Sequence, residues 1–341
     1  MAPHLTIKDI AQAVGMSVPT VSGVLNHREG FSETTRKRVW DIAHSMNYVP
    51  NSQARKLRCG EVAEARRRTR ILMHISLYGR PSLIGDLFEA ERALMLEYEA
   101  QEQDYFMLNY WYSSKRGFRC PPLLDRLIDG VVLGCPHTEV INAILGKVPT
   151  VLMDVSADPA EMKLPVVNPD IAKGWRAILR QAYAQGHRRA LWVQHYNADN
   201  GQLYDMYGRG IADACAEFGI EFIHERHKIT VANFEKLLDQ SAASVPERIR
   251  RDKIDLLLVP NIAASSGLFR RLTAAGLKLP DDIGLATANY AIGNPLGLTC
   301  LGYDWLAIAK CVVAVLDELI GGKSELREYL IDPIIDYGTT M

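Results

Sequence analysis

Apolar positions along this chain follow two rhythms. Over the first fifty residues they recur at intervals of three and four: Ile7, Ile10, Ala11 and Val14, then Val21, Val24 and Leu25, then Val39, Ile42, Ala43 and Met46. That spacing puts each set on one face of an α-helix. Thr6-Ile-Lys-Asp9 has the form of a capping box and starts the first helix at Thr6. Gly15 ends it, because glycine enters the left-handed region at low cost. Ser17 suits the N-cap of a second helix, Val18 to about Leu25. Pro19 is tolerated there because first-turn N–H groups have no intrahelical acceptor. A third helix follows Ser32 and runs to about Met46. Two short helices joined by a glycine-containing turn and packed on a third form a helix-turn-helix unit. In that geometry the N-terminal residues of the second helix face base edges. A three-helix bundle with no ligand has the same spacing.

From Ile71 onward, short apolar runs alternate with helical patterns. Ile71–Ile75, Phe106–Leu108, Gly130–Leu133 and Thr150–Met153 read as strands of one sheet. Ala190–Val193, Asp255–Val259 and Ile283–Ala286 read as strands of another. Between them Ile84–Glu102, Ile171–Ala184, Gly210–Phe218 and Gly267–Ala275 carry helical periodicity. Repeated βα units imply parallel sheets with helices on both faces. A body of this length is large for one doubly wound sheet and suits two lobes.

Composition narrows the classes. Hydrophobic residues at 48% and charged residues at 23% are ordinary for a soluble globular protein. No apolar run approaches the ~20 residues that cross a bilayer, and Met1–Ile10 lacks the features of a signal peptide. Cys59, Cys120, Cys135, Cys215, Cys300 and Cys311 are scattered with no C-x-x-C pair. That argues against a zinc site or a disulfide framework and points to the cytoplasm, with no cofactor. The net charge of −1 divides unevenly: up to Gly60 there are eight Lys/Arg against four acids, +4, which leaves −5 on the remainder. A basic head on an acidic body is what a nucleic-acid module joined to another domain presents.

Motifs for catalysis are missing. His224 and His227 are three apart, but in a strand that spacing sends them to opposite faces. Gly321-Gly-Lys-Ser324 resembles the end of a phosphate loop, yet Asp317 stands where its first glycine is required and the segment follows a helix, so a helix C-cap is the better reading. There is no G-x-S-x-G, no H-E-x-x-H and no G-x-G-x-x-G after a strand. The chain reads as a non-enzyme.

Leu5-Thr-Ile-Lys-Asp-Ile-Ala11, Val18-Pro-Thr-Val-Ser-Gly-Val-Leu-Asn26, Thr35-Arg-Lys-Arg-Val39 and Asn47-Tyr-Val-Pro-Asn51 together resemble the lactose/galactose repressor (LacI/GalR) family, nearly unbroken to Leu57. The resemblance implies a regulator bound to a double-stranded DNA operator. It gives Val18, Pro19 and Gly23 the base-reading positions, and gives Thr20, Ser22 and Asn26 contacts to phosphates or neighbouring bases. Thr6, Ser17 and Ala54 join the DNA-contacting set. Asn51–Leu57 matches a hinge helix, about 51–58, that orders on the operator. Leu57 matches a leucine wedged into the minor groove, with Arg55 and Lys56 placed beside it for backbone charge. The family often carries a long polar side chain where Gly23 sits and a polar residue where Pro19 sits. Val18 and Pro19 offer only apolar contact, for example to a thymine methyl, so direct readout is thinner and DNA deformability carries more weight. Past the hinge, Arg66, Arg67, Arg68 and Arg70 of a polar linker could reach flanking phosphates, or the linker is simply solvated.

In the body the resemblance runs through Leu127–Leu133, Val148–Asp154, Gly186–Ala190 and Ala275–Ile283. It implies an α/β core like the periplasmic binding proteins, built of two doubly wound parallel-sheet lobes. The expected division is 1–58 for the helix-turn-helix head with its hinge and 59–69 for the linker. The N-terminal lobe takes 70–167 and 298–327, and the C-terminal lobe takes 168–297 and 328–341. A small-molecule effector, sugar-like in the family, belongs in the cleft, with Ser76, Tyr78, Asp154, Tyr207, Asn261 and Asn289 as its candidate contacts. Three charged positions of the family pattern are replaced here: Ile262 follows Asn261 in place of an aspartate, Tyr207 stands for an arginine and Asn289 for an aspartate. The reading is therefore a homodimeric regulator, a repressor on a near-palindromic operator. The alternatives are a small-molecule binding protein and a regulator whose cleft is silent.

Overall fold

The computed structural model of the chain describes residues 6–25, 30–46, 48, 68–77, 87–112, 117–118, 127–134, 137–154, 159–196, 201–228, 244–259, 262–290, 297–323 and 325–341. They fall into two compact units, one up to Arg67 and one from Arg68 to Met341.

The first unit is three helices, α1 (Ile7–Val14), α2 (Val18–Leu25) and α3 (Glu33–Ser45). Asp9 accepts from the Thr6 backbone N–H at 2.7 Å and from its hydroxyl at 2.7 Å, closing the expected box. These hydrogen bonds hold the Asp9 carboxyl below the usual carboxylate range. Gly15 takes φ 70°, its N–H donating to the Gln12 carbonyl and the Met16 N–H to that of Ala11. This is the Schellman pattern. Ser32 caps α3, accepting from the Thr35 N–H at 3.3 Å. Helices this short are marginal alone. They hold because Ile10, Ala11, Val14, Val21, Val24, Leu25, Val39 and Ala43 form one buried cluster.

The second unit contains two six-stranded sheets. The first uses β1 (Ile71–Leu77), β2 (Phe106–Tyr112), β3 (Gly130–Leu133), β4 (Thr150–Met153), β5 (Val166–Pro169) and β11 (Glu328–Ile331), in the order β11-β5-β4-β3-β1-β2 and all parallel. The second uses β6 (Arg189–Tyr196), β7 (Glu221–Lys228), β8 (Leu256–Val259), β9 (Gly284–Tyr290), β10 (Thr299–Gly302) and β12 (Ile334–Asp336), in the order β12-β10-β9-β8-β6-β7. Only the β10–β12 pair is antiparallel. Along the central strands, successive side chains enter different cores. Val131 and Leu133 join one cluster and Val132 another; Leu257 and Val259 join one and Leu256 and Leu258 another. Burial on both faces is why these strands are unbroken apolar runs.

Helices α4 (Leu87–Glu102), α5 (Thr138–Ile144) and α6 (Pro159–Met162) belong with the first sheet. Helices α7 (Ile171–Ala184), α8 (Gly201–Phe218) and α9 (Ile262–Ala274) belong with the second, and α10 (Trp305–Ile320) packs back on the first. The chain thus passes between sheets three times, after β5, after β10 and after β11. Strand membership moves three expected borders: β5 runs to Pro169, so the border at 167 cuts it. Residues 299–302 pair within the second sheet and residues 328–331 within the first, so borders at 298 and 328 each misplace one strand. Both strands are only four residues long and sit directly beside a crossing, where periodicity offers no cue. The Gly321–Lys323 segment closes α10 as a helix C-cap: Gly322, at φ 84°, donates to the Leu319 carbonyl and Lys323 to that of Glu318.

The chain's last residues lock the second sheet. Thr340 donates through its hydroxyl to the Leu285 carbonyl at 2.8 Å and accepts from the Thr299 N–H at 2.9 Å. Gly338 lets this segment lie flat. A Cβ there would stand 2.1 Å from the Gly297 carbonyl oxygen and 2.5 Å from Leu298 backbone atoms. Backbone cannot rotate aside as a side chain can, so Gly338→Ala should cost roughly 1–3 kcal/mol of core stability. Urea unfolding of the full chain checks this; an unchanged midpoint would show that the tail does not brace the sheet.

Candidate DNA interface and core polar network

In the head, α2 divides its residues between two tasks. Val21, Gly23, Val24 and Leu25 are buried, whereas Pro19 is exposed and Val18, Thr20 and Ser22 are half-buried. The Ser17 hydroxyl accepts from the Thr20 N–H at 3.3 Å and lies 2.8 Å from the Thr20 hydroxyl, so it caps the helix as its sequence position suggested. Thr6 and Ser17, both exposed, stand at the N-terminal ends of α1 and α2. Gly23 is the exception among the expected base-reading positions. A Cβ on it would meet the Phe31 ring at 2.5 Å. Its place on the helix is covered by an aromatic side chain from the start of the α3 segment, and it presents nothing to a ligand. Asn26, Asn51, Ala54, Arg55, Lys56 and Leu57 lie outside the described residues, as does the expected hinge helix.

The linker's last residues are tied to the core. Arg68 donates to Asp317 at 2.7 Å, and the Tyr105 hydroxyl donates to the same carboxylate oxygen at 2.6 Å. The Arg70 guanidinium stacks over the Tyr105 ring, 5.0 Å from its centroid. Asp129 accepts from the backbone N–H groups of Thr69 and Arg70, each at 2.8 Å. Arg68 and Arg70 are therefore tied to the core, through Asp317 and Tyr105. Arg66 and Arg67 lie outside the described residues.

In the core, Ser76 and Asp154 are brought together by a residue the motif reading missed. Arg92 of α4 donates to the Ser76 hydroxyl at 3.2 Å and faces the Asp154 carboxylate at 3.6 Å, with side chains only 3% and 7% exposed. Gly134 makes room for it, since a Cβ there would stand 3.0 Å from the guanidinium. Ser76, Gly134 and Asp154 sit at the carboxyl ends of β1, β3 and β4, where open parallel sheets hold ligands. The network continues through buried His74, whose Nε2 lies 3.1 Å from the Ser76 hydroxyl and whose Nδ1 lies 3.1 Å from the Asn109 side-chain oxygen. Burial, then the Arg92 charge, pushes the His74 imidazole down to about 3, against the pull of Asn109. One signal for Arg92 was available: it shares a helical stripe with buried Leu96 and Ala100, four and eight positions on.

Tyr207 meets a different partner. It is buried on α8, and its hydroxyl is 2.6 Å from that of Tyr303, in the crossing between β10 and α10. Tyr78 and Asn261 lie outside the described residues. Asn289 is in β9, with its side chain outside them. His224 and His227 do not converge: one pairs with Gln194 at 2.6 Å and the other with Glu225 at 2.8 Å. Among the described residues no group of His, Cys, Asp or Glu could hold a metal, and no helix is long and apolar enough to cross a membrane.

Residues 6–51, the three helices and the segment after them, match the family described as bacterial regulatory proteins, lacI family. That match makes the head a LacI-family DNA-binding domain. The protein is a DNA-binding transcription regulator, and proteins of this family are not enzymes. The chain is 24% identical over 340 residues to the transcriptional repressor PurR of Glaesserella parasuis, covering 97% of this chain and 89% of that one. Its fold is similar to the Lac repressor dimer bound to operator and the anti-inducer ONPF, with a TM-score of 0.74, 18% identity and 99% of each chain covered. It is also similar to the regulator CelR in complex with cellobiose, with a TM-score of 0.64, 19% identity, and 99% of this chain and 100% of that one covered.

The His74 network gives this regulator a pH dependence of stability. A folded-state value near 3 against 6.5 when unfolded means that only the unfolded chain gains the proton as pH falls below 6.5. The stabilisation is present above that pH and is lost toward pH 3. Between pH 7 and pH 5 this one site should remove about 2 kcal/mol. Urea unfolding at both pH values should show that loss in the native chain and a flatter dependence in His74→Asn; equal slopes would mean that His74 already titrates freely in the fold.

Proposed function

We propose that this chain is a dimeric repressor that binds a near-palindromic operator through α2 and the segment from Asn51 to Leu57, with a small molecule held between its two α/β lobes controlling that binding. The observation that carries the reading is the division of α2 into a buried stripe and an exposed start, within a head matching the family over residues 6–51. Two-fold symmetry of protein and site go together in this geometry. The similar Lac repressor is a dimer on its operator. The dimer face we assign here is α4 with edge strand β2, where Leu94, Tyr98, Phe106, Leu108 and Trp111 are exposed. An apolar edge strand is a surface proteins normally cover. Ser76 and Asp154 are the effector contacts we retain, because both reach the carboxyl ends of their strands.

One observation favours a second reading, a regulator with a silent cleft. Asp154 already faces Arg92, and Tyr207 already meets Tyr303. A polyol would have to compete with these buried partners.

Selection of bound duplexes from a random pool tests the proposal. A near-palindromic consensus, bound more weakly after Leu57→Ala, is the expected result; salt-sensitive binding with no enriched sequence would sink it. Phe106→Glu with Leu108→Glu should sediment as a monomer and lose at least tenfold in operator affinity, whereas a dimer of unchanged affinity would move the interface elsewhere. Titration of small molecules into the operator complex separates the two readings of the cleft: a release favours effector control, and no response to any polyol or nucleobase favours silence.

A further inference from the structure

The exposed chemistry of α2 carries an inference about which base pairs this head reads, and it rests on the DNA-binding reading above. Of the three positions that the family resemblance gives to base reading, one is covered: Gly23 is buried, and the Phe31 ring occupies the space its side chain would need. The other two are Val18, half-buried, and Pro19, exposed. A valine and a proline have no side-chain donor or acceptor. The hydroxyls of Ser17 and Thr20 are turned on each other, 2.8 Å apart.

The major groove shows four kinds of group along a base pair: acceptors on guanine, a donor on cytosine, a donor and an acceptor on adenine, and the thymine methyl beside its O4. Only the methyl gains from meeting a proline ring or a valine. A G·C pair pressed against the same surface leaves its polar edge dehydrated and unpaired, which is unfavourable. Attraction and exclusion therefore point the same way.

We infer that Val18 and Pro19 select thymine at the base pairs they face, and that Phe31, by covering Gly23, removes the position from which a longer side chain would read guanine. Phe31 thus sets specificity without touching a base. The selectivity is apolar, so it persists at salt concentrations that weaken phosphate contacts.

The test uses the full-length chain and the half-site enriched from random duplexes. Each thymine facing α2 is replaced by deoxyuridine, which removes the 5-methyl group and leaves base pairing intact. Affinity measured by fluorescence anisotropy should fall about fourfold for each methyl removed. Pro19→Gln, at an exposed first-turn position, should lose that dependence on the methyl and shift preference toward adenine, whose N6 and N7 match an amide. An enriched half-site without thymine at these pairs, or deoxyuridine bound within twofold of thymine, would overturn the inference while leaving the regulator intact. A chain that binds no DNA under any condition would overturn the underlying reading as well.

Discussion

The head of this protein depends on the burial of one face of a helix only eight residues long. Val21, Val24 and Leu25 of α2 pack against Ile10, Ala11 and Val14 of α1 and Val39 and Ala43 of α3. Each such side chain contributes roughly 1.5–3 kcal/mol when removed from water, and without that contribution no helix of two turns persists. The same burial limits what is left for DNA. With Gly23 also taken into the core under Phe31, only the start of the helix remains to face a groove. Capping by Ser17 then fixes where that start lies, and Pro19 is accepted there because the first turn leaves its missing N–H unneeded.

The core solves a different problem with related means. The central strands of the two sheets are parallel and buried on both faces, so they are short and apolar. The chemistry is concentrated at strand ends. There Ser76 and Asp154 meet Arg92, and burial of that charge is tolerable because a carboxylate and a hydroxyl face it and Gly134 gives it room. Removing one partner of such a pair is far more damaging than replacing both. His74 extends the network to Asn109 on β2, the strand at the sheet's edge. A polar chain thus runs from the strand ends toward the face assigned to the dimer. Tyr207 and Tyr303 make a second polar contact, joining a helix of one lobe to a crossing between lobes.

Much of this was legible in the sequence, and the parts that were not share a cause. Helices α1 to α3 were visible because caps and periodicity are local: Thr6 with Asp9, Gly15, Ser17 and Ser32 each act within a few residues. Most inner strands were visible because double burial writes itself as unbroken apolar runs such as Leu256–Val259, whereas β5, β10, β11 and β12 were not among the expected runs. The lobe borders slipped by one strand at β10 and β11, whose short runs carry no sign of which sheet they join. Phe31 over Gly23, Arg92 between Ser76 and Asp154, and Tyr303 against Tyr207 were hidden because each is a contact between distant or differently folded segments. The basic linker was read as free charge for the same reason: Arg68 finds Asp317 across 249 positions of chain.

On this reading a small, largely apolar face of α2 must still recognise sequence. An equilibrium competition at one fixed salt concentration, between the selected operator and a scrambled duplex of the same composition, tests it most directly. A preference of about a thousandfold or more is expected, the lower end of what specific DNA-binding proteins achieve. A ratio near one, with both duplexes released equally as salt rises, would contradict it, since the head would then be holding phosphates alone.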